Sequence, residues 1–299
     1  MHPDLHAGSL SRLGGYREYP VPRDLTRHVE TVWSYGRPLT DGAGARATTH
    51  RVLPTSGASL LFQSIRLPDG QLEEPELLFI GPVRTPRLFT PPPGLHFEAV
   101  RIKLEWCLAV TGMSPGECTD LVVPLTNPSI CGVRLLDDLS RSRSPARSLA
   151  LLLDAVRQRR DAIAASRECR LVHSALEEIR RDPSSELRLE AVARKIGISE
   201  RHLRRMVLDV AGFTPKWLQR VQRLSRTLAA ADLHSCPSWS RLAADHGYWD
   251  QSHLIHEVRA LTGFAPTESD AERRREDVLN LSAFSNPPSA ERPIFQSAG

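Results

Sequence analysis

The chain has 299 residues, which is more than one hydrophobic core usually holds and therefore suggests two domains. Hydrophobic residues make up 40% and charged residues 25%, as in soluble globular proteins, and the formal net charge is only +4. No apolar run approaches the roughly 18 residues that span a bilayer, and the first residues lack a signal-peptide pattern, so we expect a cytoplasmic protein with no membrane partner.

The region from about residue 16 to residue 125 is rich in proline and contains short apolar runs of the kind that form strands. The clearest runs are 58–62, 76–80 and 97–104, and Gly and Pro turn signals bound them, which favours a β-rich domain. Several aromatic side chains here could line a ligand pocket or fill a core. They are Trp33, Phe62, Phe79, Phe89 and Trp106.

Residues 149–165 contain neither proline nor glycine, and their apolar side chains fall on one helix face. This predicted helix could mediate dimerisation or pack on the β-rich domain. From about residue 168 to residue 267 the pattern stays helical, whereas the stretch beyond it has no sustained periodicity and is predicted to be a flexible tail.

The helical region contains an internal repeat. Segment 199–215 recurs as segment 250–266, with His-Leu, Val and Gly-Phe-x-Pro matched 51 residues apart. Before the turn, Ala193 and Gly197 match Ala243 and Gly247 at an offset of 50, so the second copy carries one extra turn residue. Each copy predicts a helix, a tight turn and a second helix, which is the pattern of a helix-turn-helix unit.

The predicted turns and caps show which side chains face outward. Gly197 can take the left-handed conformation that ends one helix, and Ser199 and Asp250 can cap the second helix of each copy. Leu203 and Val207 lie on the inward stripe. The predicted base-reading residues are Arg201, His202, Arg204 and Arg205 in the first copy and Gln251, Ser252 and His256 in the second, with Ser199, Lys195 and Lys216 as phosphate contacts.

The charge distribution agrees with a nucleic-acid partner. Between residues 188 and 226 there are ten cations and three anions, so the local excess of seven is larger than that of the whole chain. Such an excess is typical of a phosphate-binding surface, although a solvated helix face would give the same count. A linker helix capped by Thr214 and running from Pro215 to about Ala231 would be roughly 25 Å long. That length could hold the two units for successive major-groove segments of double-stranded DNA, about 34 Å apart.

The residues of the second copy closely resemble the signature of the AraC/XylS family of transcription regulators. The matching segments are Gly247-Tyr248-Trp249-Asp250-Gln251-Ser252-His253-Leu254 and Gly263-Phe264-Ala265-Pro266. Leu254 and Val258 replace the usual phenylalanines. His256 stands where an arginine is common, which predicts weaker base contact by this unit. The likeness covers about 100 residues and implies a bacterial regulator that recruits or blocks RNA polymerase, with a homodimer as a further expectation.

Segments 16–20, 29–33, 51–54, 81–83 and 121–125 resemble a domain of uncharacterised function that precedes this module in some AraC-like proteins. The resemblance implies a small barrel-like domain that senses a small-molecule effector or forms dimers. One departure is that residues 55–59 are uncharged, whereas the family often has acidic residues there, so a ligand role for this loop would be changed or absent.

An enzyme is the main alternative, and it would need reactive groups held together by a motif. The five cysteines are widely spaced without a C-x-x-C pair, which argues against a disulfide framework or a thiolate zinc site. His253 and His256 lack a third ligand at a suitable spacing, so we expect no metal, no cofactor and no catalytic residue. For an enzyme, the candidate nucleophiles or alkyl acceptors are Cys107, Cys118 and Cys131, and the candidate bases are Glu98, Glu105 and Glu117.

Together these patterns predict an α+β protein with two domains. Residues 1–165 form a β-rich, barrel-like regulatory or dimerisation domain with flanking helices. Residues 166–268 form an all-α DNA-binding domain with two helix-turn-helix units joined by a linker helix, and residues 269–299 form the tail. A third hypothesis is that the N-terminal domain binds a protein partner rather than a small molecule.

Overall fold

The computed structural model describes residues 15–39, 49–125, 132–162, 167–182, 188–232 and 238–265. Within these ranges the N-terminal part holds eight strands. They are β1 (Tyr16–Tyr19), β2 (Val29–Gly36), β3 (His50–Val52), β4 (Gly57–Arg66), β5 (Leu72–Ile80), β6 (Arg87–Phe89), β7 (Leu95–Lys103) and β8 (Val122–Pro124). The predicted runs at 58–62 and 76–80 lie in β4 and β5, and the run at 97–104 lies in β7 up to its last residue, which begins a helix.

The helices follow the strands along the chain, with one exception between β7 and β8. They are α1 (Leu104–Thr111), α2 (Gly132–Ser140), α3 (Pro145–Ala162), α4 (Arg167–Arg181), α5 (Leu189–Lys195), α6 (Glu200–Ala211), α7 (Pro215–Asp232), α8 (Trp239–Asp245) and α9 (Gln251–Thr262). None of the helices in the described ranges is both long and apolar enough to cross a membrane.

The strands pair antiparallel in two sheets. The larger sheet has the order β1-β2-β7-β4-β5-β8, and the smaller one pairs β3 with β6. In β4 and β7, Leu60 lies opposite Val100 and Leu61 opposite Ala99, so alternate side chains point to opposite faces. One face packs on α1 and α3, and the other lies under the small β3–β6 sheet. This arrangement is the β-rich N-terminal domain with flanking helices that the sequence predicted.

The N-terminal aromatic side chains fill the core. All five of the aromatic residues considered above as pocket-lining are buried, with Trp33 and Phe89 on one face of the large sheet and the other three on its opposite face. Helix α3 buries Leu149, Leu152 and Val156 in the cluster that also holds Phe62. Of the two interpretations of this helix, packing on the β-rich domain is therefore the one that the contacts support.

The same hydrophobic cluster continues from the sheet into the first helices of the C-terminal part. It includes Val172 of α4 and Leu203 and Val207 of α6, together with Val100 of β7. A separate cluster unites α7, α8 and α9 and receives Leu53 as its one member from the described residues of the sheet region. Helices α4 and α6 thus pack on α1, whose apolar side chains continue into the core of the sheet, and the last helices pack mainly on one another.

A buried ionic network joins α1 to α4 across this contact. The Glu105 carboxylate, with 0% of its side chain exposed, accepts two hydrogen bonds of 2.8 Å from Arg180. Its Oε1 also lies 2.9 Å from His173 Nδ1. Burial alone would raise the pKa of Glu105, but the Arg180 guanidinium and these hydrogen bonds hold that pKa at about 2. Lys103 and Glu177 form a second ion pair beside it, with 2.9 Å between Nζ and Oε1.

The remaining C-terminal segment, including the predicted tail at 269–299, lies outside the described residues, as do Cys131 and Cys236. Cys107 and Cys118 are buried free thiols. Burial raises the pKa of both, which keeps them protonated at neutral pH.

Candidate nucleic-acid interface

The first helix pair consists of α5, a four-residue turn and α6. Gly197 in the turn has φ +78°, a left-handed conformation that favours glycine, and the Ile198 N–H donates to Ala193 O at 3.0 Å. Ser199 caps α6, since its Oγ accepts a hydrogen bond of 3.2 Å from the His202 backbone N–H. The predicted turn glycine and N-cap of this pair are confirmed.

The outward face of α6 is basic. Leu203, Met206 and Val207 are buried, and Arg201, Arg204 and Arg205 are exposed as predicted. Two of the three arginines have partners on the helix itself. Both Nε and Nη2 of Arg204 donate to Glu200 Oε1, at 2.8 and 2.5 Å, and Arg205 Nη2 lies 3.3 Å from His202 Nδ1. These contacts are on the surface, where exposed ion pairs contribute little stability and can be exchanged for other acceptors.

The second helix pair consists of α8, a five-residue turn and α9. Gly247 has φ +71°, and Asp250 caps α9 because its Oδ1 accepts a 2.7 Å hydrogen bond from the His253 N–H. Gln251, Ser252 and His256 are exposed on α9, as predicted. His253 points elsewhere: its ring packs edge-on to Tyr248, and its Nδ1 accepts from the Trp249 N–H at 3.2 Å.

Trp249 is a candidate site residue that the sequence patterns did not single out. Its side chain is 88% exposed, immediately before the cap of α9. The signal was present in the sequence, because the second copy of the repeat has one extra turn residue at this place.

The three predicted phosphate contacts have different surroundings. The Ser199 hydroxyl already caps α6, and Lys195 Nζ forms an ion pair of 2.7 Å with Glu178 Oε2 of α4. Lys216 is exposed in the first turn of α7, beyond the C-terminal end of α6. Ser199 therefore lies at the N-terminal end of the helix that carries the arginines, whereas Lys195 lies on α5 and Lys216 on α7.

The linker helix α7 begins as predicted, with Thr214 Oγ1 accepting from the Trp217 N–H at 3.3 Å. Several of its cations are used for packing. Arg220 and Arg223 pair with Glu257 of α9 at 2.9 and 3.6 Å, and Arg223 also lies over the Tyr248 ring. Arg226 donates to backbone carbonyls at the end of α4.

This use of the α7 arginines refines the interpretation of the charge count. Of the ten cations between residues 188 and 226, Arg223 is buried and Arg220 is half-buried against Glu257, and the exposed Arg226 also holds α4 through its backbone carbonyls. Three of the exposed cations, Arg201, Arg204 and Arg205, share the outward face of α6.

The described residues contain one group that could hold a metal ion by ligand spacing, formed by Glu105, His173 and Glu177. Arg180 donates to both carboxylates of this group, so a cation of the protein already fills the position between them. The residues do not fit a metal site.

The groups considered for an enzyme have different surroundings. Cys107 Sγ lies 3.6 Å from Lys103 O and 3.8 Å from Ile102 O, whereas Glu117 is exposed. Burial raises the pKa of Glu98 to about 7, although Arg66 at 3.0 Å opposes that shift.

A capped helix with a basic outward face, joined to a shorter helix by a tight turn, is typical of a DNA-binding helix-turn-helix unit. Residues 192–271 match the family model described as a helix-turn-helix domain, and this domain is of the AraC type. The similarity covers 80 of the 299 residues and places an AraC-type helix-turn-helix domain in the C-terminal part of the chain. Among curated protein sequences, none is significantly similar to the chain.

Solved structures of the ToxT protein of Vibrio cholerae are also similar in part. ToxT from strain O395 is 10% identical over 75% of this chain and 96% of that chain, with a TM-score of 0.41. A P21 crystal form of ToxT is 11% identical over 80% of this chain and 96% of that chain, with a TM-score of 0.41. A form bound to an unsaturated fatty acid is 9% identical over 75% of this chain and 93% of that chain, with a TM-score of 0.40. Because the identities and TM-scores are low, the functional conclusions rest on the helix-turn-helix match and on the geometry described above.

Proposed function

We propose that both helix pairs read DNA, with α6 and α9 entering adjacent major-groove segments of one double-stranded site. The observation that carries this proposal is that the second helix pair repeats the local structure of the first. Each of these helices has a side-chain cap, a left-handed glycine in the preceding turn and exposed polar residues near its N-terminal end. The N-terminal residues of a reading helix are those that reach base edges.

The two helices carry different recognition chemistry. On α6, Arg201, Arg204 and Arg205 can each offer a guanidinium fork to guanine O6 and N7. On α9, Gln251 can bond adenine N6 and N7, and Ser252 and His256 add polar contacts. We infer that α6 contributes most of the base discrimination and that Ser199, Lys195 and Lys216 position the backbone of the DNA.

The N-terminal domain is proposed to regulate this DNA binding through a small-molecule effector. Buried polar atoms within the large sheet support a ligand role, because polar atoms without a partner inside a protein are costly. Nε and Nη2 of Arg101 and Oγ of Ser59, which lie opposite each other on β7 and β4, are buried without a hydrogen-bond partner. The packing of α1 on α4 and α6 offers a route by which such binding would reach the first helix pair.

Contact with RNA polymerase and assembly into a homodimer complete the proposed regulator. RNA polymerase is the partner that a DNA-bound activator recruits or a repressor blocks. A dimer would place two copies of both helix pairs on one DNA site. Measuring the molecular mass of the particle in solution, with and without bound DNA, tests for the dimer.

The experiment for DNA binding is a random-library selection with the purified full chain, repeated with Arg204→Ala plus Arg205→Ala. We expect the wild type to select a motif that spans two groove segments. Each lost arginine–guanine pair is worth roughly 1–3 kcal/mol, so the double variant should bind the selected site at least about 30-fold more weakly.

Arg141→Ala is the matched control, because Arg141 is an exposed cation immediately after α2, far along the chain from both reading helices. It should bind like the wild type. Equal affinity of the double variant and the wild type for the selected DNA would contradict the role of α6.

A further inference from the structure

The turn of the second helix pair differs from that of the first by one inserted residue, and the backbone identifies which one it is. In the first pair the Ile198 N–H donates to Ala193 O at 3.0 Å, and in the second the Tyr248 N–H donates to Ala243 O at 2.9 Å. Because Ala193 and Ala243 are equivalent in the repeat, Tyr248 takes the place of Ile198. The inserted residue is therefore Trp249.

The structural roles of the turn are filled without this tryptophan. Tyr248 is 6% exposed and packs in the cluster of α7, α8 and α9, and Asp250 supplies the cap of α9. Only the backbone of Trp249 is engaged, through its N–H to His253 Nδ1. Its indole has no ring or hydrogen-bond partner among the residues that the structure describes.

The exposure of Trp249 is unusual for this protein. Trp33, Trp106 and Trp239 are buried, and Trp217 is half-buried and stacked on Phe213 at 4.0 Å between ring centroids. Trp249, at 88% exposed, is the most exposed large hydrophobic side chain in the described ranges. The turn holds this indole in water. Covering such a large apolar surface with a partner lowers the free energy, so burial of the indole would stabilise a complex.

The position of the indole identifies the partner. Trp249 stands one residue before the cap of α9, at the end of the helix where Gln251 and Ser252 are exposed. The exposed face of α9 carries no cation before Arg259, unlike the basic face of α6. This helix therefore has little electrostatic attraction for phosphate near its N-terminal end and needs another source of affinity.

We propose that Trp249 is a DNA-contact residue that anchors the N-terminal end of α9 at the edge of the major groove. Its ring covers the apolar surface of a deoxyribose or thymine methyl group, and its Nε1–H donates to a phosphate oxygen. An indole provides a donor and no acceptor, which suits a phosphate. The proposal rests on the proposed function, since it requires that α9 lies on DNA.

The test measures acrylamide quenching of tryptophan fluorescence in the full chain, with Trp249→Phe as the reference that removes this one indole. Acrylamide is neutral, so the charge of DNA does not repel it. The fluorescence that the wild type has in excess of Trp249→Phe comes from Trp249. In the free wild type, we expect acrylamide to quench this excess fluorescence strongly. Adding the duplex selected by the wild type should reduce the quenching of that excess by about threefold or more, whereas a scrambled duplex should have a smaller effect.

Affinity for the selected duplex provides the second measurement. Trp249→Ala should bind about tenfold more weakly, because the indole area is lost, and Trp249→Phe should fall between Ala and the wild type. Leu121→Ala is the matched control, since Leu121 is another exposed apolar residue, with 50% of its surface accessible, but lies in the sheet region. It should leave the affinity unchanged. An unaltered unfolding midpoint of Trp249→Ala would show that the loss does not come from misfolding.

The outcomes separate this inference from the function on which it rests. If the wild type selects no DNA, the proposed function fails. If the wild type binds a motif that depends on Arg204 and Arg205, while Trp249→Ala binds equally well and the indole stays accessible in the complex, the inference is overturned and the function stands. Protection of the indole only after RNA polymerase is added would also overturn it, in favour of a protein contact.

Discussion

Replacing Glu105 by glutamine removes the charge at the centre of the network between α1 and α4 while keeping its size. Arg180, with 18% of its side chain exposed, would then be left without its buried counter-charge. The folded-state pKa of about 2, against an ordinary glutamate value of 4.5, corresponds to about 3 kcal/mol of stabilisation. We expect Glu105→Gln to lower the free energy of unfolding by about that amount at pH 7.

The pH dependence gives a sharper form of this prediction. Because the pKa of Glu105 is depressed in the folded state, its stabilisation is fully present above pH 4.5 and is lost as the pH falls towards 2. Urea unfolding of the wild type and of Glu105→Gln should therefore give free energies of unfolding that differ by about 3 kcal/mol at pH 7. The difference should fall to about 1 kcal/mol at pH 3.

The control for Glu105→Gln is Glu190→Gln, which breaks an exposed pair with Arg194 on one helix. That change should cost less than about 0.5 kcal/mol at either pH. The assignment of a buried charged network would be refuted if Glu105→Gln lost as little free energy of unfolding at pH 7 as the control. A loss that stayed constant between pH 7 and pH 3 would refute it as well.

Three further changes test the geometry of the helix pairs. Glu200→Gln releases Arg204 from its carboxylate partner and removes a negative charge near the DNA, so equilibrium titration should show severalfold tighter binding of the selected duplex; weaker binding would contradict this reasoning. Gly212→Ala puts a side chain at φ +76° and a Cβ 2.4 Å from the Gly116 Cα, so thermal unfolding should show a loss of at least about 1 kcal/mol, and an unchanged midpoint would argue against this close approach. Asp250→Ala removes the cap of α9 at a cost of about 1 kcal/mol, and the His253 amide should exchange faster than in Asp250→Asn, which keeps an accepting oxygen; equal rates would count against the cap.

The local structure of the helix pairs was predictable from the sequence because its determinants are close in the chain. A turn glycine, a capping side chain two residues later and a buried stripe at helical spacing fix the pair around Gly197 and Ser199. The same reasoning predicted the start of α7 at Thr214 and Pro215. The strands β4, β5 and β7 followed from apolar runs bounded by turn residues.

The contacts that hold these elements together were not predictable in the same way. Glu105 and Arg180 are 75 residues apart, and nothing near either residue indicates the other. A count of charges also cannot distinguish Arg204, which faces solvent, from Arg223, which is buried against Glu257 and Tyr248. Burial is a property of the assembled fold, so the exposed basic surface is smaller than the sequence suggested.

The predicted boundary between the regulatory and DNA-binding regions stays a prediction, but the packing shows where the chain could be exchanged. Helix α6 shares one hydrophobic cluster with the sheet, whereas α8 and α9 belong to another. A foreign regulatory domain joined ahead of α4 would have to reproduce the surface that α4 and α6 cover. Replacing α8 and α9 would leave that surface intact, so a change of the second pair is the less disruptive route to a new DNA specificity.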